Sequence, residues 1–180
     1  MNKKTFSSIS GYLGYLATVI VLLIVIAVIF NMFFNKSNDL RYRLSEKTSK
    51  ALVLSCMDFR FINDKVSFLN KEYKDSYNKF SLAGASLGYN QTTFPEWGAS
   101  FDKHIELSKD LHDIDEIIVM DHMDCGAYRI LYDNQSMSKE EEYELHRKNL
   151  DKFKAIINKN HPSLKVTTFL VNIDGSIDKK

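Results

Sequence analysis

Ala51-Leu52-Val53-Leu54-Ser55-Cys56-Met57-Asp58-Phe59-Arg60 runs an apolar, β-prone segment into a cysteine. Ile117-Ile118-Val119-Met120-Asp121-His122-Met123-Asp124-Cys125-Gly126 does the same with a histidine and the second of the chain's two cysteines. Two such runs read as core strands of an α/β fold. Residues just past the carboxyl ends of parallel strands meet above the sheet edge, where open α/β folds bind small molecules. Cys56, His122 and Cys125 then offer two thiolates and an imidazole to one metal ion. Zinc suits that set, and three protein ligands leave the fourth tetrahedral position for water. A Cys56–Cys125 disulfide is the plainer use of the two thiols, but it gives no part to His122, Asp58 or Arg60.

Working outward, Phe61 to Tyr77 carries Ile62, Val66, Leu69 and Tyr73 at helical spacing. Phe80-Ser81-Leu82 reads as a short strand leading into the small residues Ala83-Gly84-Ala85-Ser86. Phe101, Ile105, Ser108 and Leu111 mark one face of a helix from about residue 100 to 112, with His104 beside it as a packed or solvated side chain or a proton carrier. Ser138 and Glu141 form a capping-box pattern. The helix they open turns Tyr143, Leu150, Phe153 and Ile157 inward, makes His146 a core or interface residue, and stops near Pro162. Lys165 to Ile173 is a last strand before the turn pair Asp174-Gly175. Strand and helix alternate, which predicts a mainly parallel sheet flanked by helices on both faces.

Upstream, Thr5 to Asn35 carries no charged residue, and Tyr12 to Phe34 is almost wholly apolar. As a helix that segment is about 35 Å long, enough to cross a ~30 Å hydrocarbon core. Its apolar region is too long for a cleaved signal peptide. The chain thus divides into an N-terminal membrane anchor (1–35), a charged linker (36–50) and a zinc domain (51–180). Lys3 and Lys4 precede the span, whereas Lys36, Arg41, Arg43, Lys47 and Lys50 follow it. That excess predicts a single-pass membrane protein whose domain faces the cytoplasm, a reducing side that keeps both thiols available. Lys and Arg total 24 against 23 Asp and Glu, for a net charge of +1. Such a balance points to no nucleic-acid partner. Seven glycines and two prolines leave no low-complexity linker.

Cys56-x-Asp58-x-Arg60, then His122-x-x-Cys125-Gly126-Ala127, resembles the β-class carbonic anhydrases over roughly residues 51–177. The resemblance implies one Zn²⁺ per chain and reversible hydration of carbon dioxide to bicarbonate and a proton. Asp58 and Arg60 form the catalytic pair. In an extended segment residues two apart point the same way, so Arg60 can hold Asp58 ionised by paired N–H···O bonds. Asp58 is then free to accept the nucleophile's hydrogen bond; released from Arg60, it becomes a fourth metal ligand. A structural ion pair beside a structural zinc is the blander use of both residues. Asp124 orients a ligand or is a solvated loop carboxylate, and Gly126 allows the turn after Cys125. The resemblance also implies a homodimer or dimer of dimers, with residues 36–50 wrapping a partner.

Many members of that family have Ala-Gly-Asn or Ala-Gly-Gly where this chain has Ala83-Gly84-Ala85. Two other functions fit the same residues. One is hydrolysis of carbonyl sulfide or carbon disulfide, which are also small, linear and electrophilic at carbon. The other is a membrane-tethered zinc-binding protein without turnover.

Overall fold

The structure, a computed structural model, describes residues 15–33 and 48–180. They fall in two compact units divided after Lys47. Within the first unit, α1 (Tyr15–Phe33) has a mean hydropathy of 3.0 and none of it is buried. By length and composition it can cross a membrane. Lys3, Lys4, Lys36, Arg41, Arg43 and Lys47, on which the orientation rests, lie outside the described residues, as does most of the expected linker.

The second unit holds a five-stranded sheet of order β2-β1-β3-β4-β5. Its strands are β1 (Ala51–Ser55), β2 (Tyr77–Ser81), β3 (Glu116–His122), β4 (Lys165–Val171) and β5 (Ile177–Lys179). The first four run parallel, and β5 folds back antiparallel on β4. Every residue of β1 and β3 is buried, as expected of parallel strands covered on both faces. Side chains alternate between the two faces. Leu52, Leu54, Ile117 and Val119 join one core with Phe101, Leu150, Phe153 and Ile157. Ala51, Val53, Ile118 and Met120 join the other with Phe61 and Leu69. Helices α4 (Pro95–His112) and α6 (Lys139–Asn160) therefore cover the first face and α2 (Ile62–Tyr73) the second.

Several local expectations shift. The α2 helix ends at Lys74, in the left-handed conformation, so β2 begins at Tyr77 rather than Phe80. Its inward face carries Lys65, Phe68 and Leu69, and Ile62 is exposed. Pro95 starts α4 five residues earlier than the apolar pattern alone indicates; its missing N–H would be unsatisfied there anyway. Leu111 is exposed, and His112 instead bonds Asn78 at 2.9 Å. The capping box at Ser138 is present with both of its hydrogen bonds. Tyr143, however, is partly exposed and lies under Lys180, and His146 takes the inward position. The short β5 carries too little pattern to be read from sequence.

Ala85 precedes the short helix α3 (Ser86–Asn90) with φ 40° and ψ −100°, and it is fully buried. That backbone region favours glycine, because a Cβ crowds the neighbouring carbonyl. Gly84 (φ 71°) faces Ala127, whose Cβ would stand 3.3 Å from a Cβ added there. The loop thus presses its backbone against α5 (Gly126–Leu131), the short helix that follows Cys125. Ala85→Gly relieves the conformational cost and should raise stability by about 1 kcal/mol. Chemical denaturation should show a higher midpoint at unchanged slope; a lower midpoint would mean that the loop is not strained.

Candidate metal centre

Strand order 2-1-3-4 places β1 and β3 side by side at the point where successive crossovers diverge, the usual ligand-binding crevice of such sheets. The register aligns Ser55 with Met120, so the segments after both strands emerge at the same edge. Cys56 and Cys125 stand with their sulfurs 3.9 Å apart and unbonded. The donor atoms of Cys56, His122 and Cys125 all lie within 4.8 Å of one another, and all three residues are buried.

The donor set fits a metal ion. His122 Nδ1 lies 2.9 Å from the Met123 carbonyl oxygen. A proton on Nδ1 makes that bond and leaves the Nε2 lone pair toward the sulfurs. Nε2 is buried without a hydrogen-bond partner, and orphaned buried groups of this kind are rare. Sulfurs about 3.8 Å apart are what two 2.3 Å bonds to one tetrahedral zinc require. The thiols are matched to a cation as well. Hydrogen bonding to Cys125, and to a lesser extent to His122, pulls Cys56 well below the ordinary thiol value against the effect of burial. The Cys56 sulfur and burial push Cys125 up. One proton thus leaves the pair readily and the second is held back by like charge, a repulsion that a divalent cation removes.

Asp58 and Arg60 meet, but through a turn rather than an extended segment. Asp58 caps a 3₁₀ turn, Phe59–Phe61, and accepts the Arg60 backbone N–H at 2.9 Å. The guanidinium donates from Nε (3.1 and 3.2 Å) and Nη2 (2.7 Å) to the same carboxylate. Hydrogen bonds from Arg60 hold the Asp58 carboxyl at about 2. Its Oδ2 is 3.8 Å from His122 Nε2, at the rim of the donor cluster.

Arg60 also reaches the second loop, donating to Asp124 Oδ2 at 2.7 Å and to the Asp124 carbonyl at 2.8 Å. Arg129 donates to Asp124 Oδ1 at 2.5 Å. Asp124 therefore braces the loop between His122 and Cys125 with φ 58°. Gly126 is not required by the turn after Cys125: its φ lies outside the region that favours glycine, and a Cβ there would meet nothing within 4 Å. His104 is exposed, lies 2.8 Å from the Ser100 carbonyl oxygen and packs edge-on against Phe80.

Three buried groups behind the cluster escape a reading of the sequence. Lys65 donates to the Cys56 carbonyl at 2.7 Å. Glu142 accepts the Cys125 N–H at 2.7 Å. Asp121 lies 2.9 Å from His146 Nδ1. Burial disfavours a charge on His146, but Asp121 and Glu142 outweigh it and raise the imidazole to about 9. Burial likewise opposes the charge of Glu142, which His146 and the amides of Cys125 and Asp124 nevertheless hold below the ordinary value. An acidic residue ending a buried strand is a usable signal for Asp121. Glu142 has none, since it closes the surface-like run Glu140-Glu141-Glu142.

Residues 46–179 match the family described as "Putative carbonic anhydrase", and the chain belongs to that family. An uncharacterized protein of Rickettsia bellii is 41% identical over 134 residues, covering 73% of this chain and 81% of its own length. One of Rickettsia conorii is 38% identical over 146 residues, covering 79% and 77%. Among solved structures, a tetrameric β-carbonic anhydrase of the ascomycete Sordaria macrospora superposes with a TM-score of 0.53 at 11% identity, covering 83% of this chain and 95% of that one. The expected fold is therefore the observed one: a mostly parallel sheet flanked by helices, of the β-carbonic anhydrase kind.

The depressed Asp58 value gives a pH dependence of known sign. The Asp58–Arg60 pair adds stability above the ordinary carboxyl pKa of 3.8 and loses it as pH falls toward 2. In metal-free Arg60→Ala the Asp58 carboxyl should titrate back near the ordinary value, followed by its ¹³C shift. A midpoint still near 2 would show that Arg60 is not the cause.

Proposed function

We propose that the protein is a zinc-dependent carbonic anhydrase: it hydrates carbon dioxide reversibly to bicarbonate and a proton. The observation that carries this reading is the unpartnered His122 Nε2 facing two buried sulfurs, with an arginine-held carboxylate 3.8 Å away. Cys56, His122 and Cys125 hold one zinc per chain. Bound zinc supplies the Lewis acidity that brings ionisation of water toward neutral pH. Asp58, kept ionised by Arg60, accepts the hydrogen bond of the attacking oxygen and turns its lone pair toward the substrate carbon. Phe61, a core residue with its ring 4.7 Å from that of His122, backs the imidazole from the apolar interior.

Zinc content should be one per chain and should fall severely in Cys125→Ala. Asp58→Asn should keep the metal yet lose about 10²–10⁴-fold in stopped-flow hydration, because the amide cannot accept in the same way or pair with Arg60. Full zinc in Cys125→Ala would overturn the ligand assignment. Zinc without hydration in the wild type, but with turnover of carbonyl sulfide or carbon disulfide, would move the substrate. Zinc with no turnover of any of the three would make the protein a tethered zinc-binding protein.

The same reading divides the chain into an anchor (1–35), a linker (36–50) and a zinc domain (51–180) on the cytoplasmic side. The apolar α1 supports the anchor. The tetrameric relative and the exposed Met57, Phe59 and Ile62 beside Asp58 support a homodimer or larger assembly. Full-length protein should stay with carbonate-washed membranes. A mature chain beginning beyond Phe34 would instead make the first segment a signal peptide.

A further inference from the structure

We propose that Glu142 is a positioning residue of the metal centre: its buried carboxylate fixes the peptide that carries Cys125 and so sets where that sulfur stands. The proposal rests on the ligand assignment above.

Glu142 lies in the first turn of α6, yet it is only 4% exposed. Capping does not require it there, because Ser138 and Glu141 already complete the capping box. An acid in the first turn favours a helix from the surface, whereas burial of a carboxylate is costly unless it is paired. Glu142 is paired. Oε1 accepts the Cys125 N–H at 2.7 Å and stands 3.6 Å from His146 Nε2, one turn further along the same helix.

From His146 the connection continues to the other loop ligand. Its Nδ1 lies 2.9 Å from Asp121 Oδ2, and Asp121 directly precedes His122. Asp121 also accepts the Ser86 N–H (3.0 Å), the Ser86 hydroxyl (2.6 Å) and the Tyr128 hydroxyl (2.8 Å). A buried line thus runs from the Cys125 peptide through Glu142, His146 and Asp121 to the backbone of His122, hydrogen-bonded at each end and carried between Glu142 and His146 Nε2 by a 3.6 Å ionic contact.

This loop needs such an anchor. Asp124, the residue before Cys125, has φ 58°, a conformation that a residue with a side chain adopts at a cost and keeps only when its surroundings impose it. A charge-assisted bond to the next N–H supplies one such constraint from the interior, while Arg60 and Arg129 hold the Asp124 side chain from outside. Groups that orient metal ligands in this way typically contribute about 10–100-fold in metal affinity.

The test uses the full chain in detergent, with cobalt(II) as the probe. Cobalt affinity is measured by chelator competition, and the sulfur-to-cobalt charge-transfer absorption reports the geometry of the thiolates. Glu142→Leu removes the acceptor and should weaken cobalt binding about 10–100-fold and shift that absorption. Glu142→Gln keeps an acceptor oxygen and should recover most of the affinity. Where the leucine variant does not fold, Glu142→Asp decides: it keeps the charge but is one methylene too short to reach the Cys125 N–H, and should show the same weakening and shift. Wild-type affinity and spectrum in a folded leucine or aspartate variant overturn the role of Glu142 alone. A wild-type chain that takes up no cobalt and no zinc overturns the ligand assignment and this inference together.

Discussion

Two buried sulfurs held 3.9 Å apart are the constraint on which the rest of the site depends. Neutral thiols can lie at that distance without penalty; two thiolates cannot, unless a cation lies between them. The sheet brings the two ligand-bearing segments together, and the groups around the second loop then fix where its sulfur stands. Adjacent parallel strands in the Ser55–Met120 register end at one level, and a buried residue on every position of both strands locks that register, because a slip of one residue would send each side chain to the wrong core. The sheet centre therefore does for the cysteines what a disulfide would do, while leaving both sulfurs unbonded.

Around that pair the fold divides its polar groups by depth. Outside, Asp58, Arg60, Asp124 and Arg129 form a partly exposed network that water can reach. Inside, Asp121, Glu142 and His146 are almost fully buried, each with a protein partner within 3 Å. Screening weakens charge interactions in the first set and hardly touches those in the second. The outer network suits a group that exchanges partners during a reaction; the inner one suits groups that hold a fixed geometry.

Much of this was legible in the sequence because its signals were local. Apolar runs in front of Cys56 and His122 marked the central strands, and residue type alone picked out the donor set and the Asp58–Arg60 pair. Other features depend on packing that no local pattern encodes. Tyr143 and Glu142 sit side by side in an amphipathic helix, and the pattern favours the tyrosine for the interior. The bonds available to a carboxylate there, from Cys125 and beside His146, reverse that choice. Lys65 is a similar case: a cation on an apolar helix face becomes acceptable only because the Cys56 carbonyl is within reach. Ala85 shows the converse: its place in a run of small residues is plain from the sequence, whereas its backbone at φ 40° and ψ −100°, a region that favours glycine, follows only from the packing of the loop.

Arg60 spends its donors unequally. Nη1 and part of Nη2 are committed to Asp124 on the opposite loop, whereas Asp58 has no other partner among the side-chain bonds described. If the pair separates, the guanidinium is still moored by Asp124, and only the carboxylate is at liberty to turn. The guanidinium is thus the fixed half of the pair, and the carboxylate, tied also to the Arg60 backbone N–H at 2.9 Å and standing 3.8 Å from His122 Nε2, is the half with room to turn.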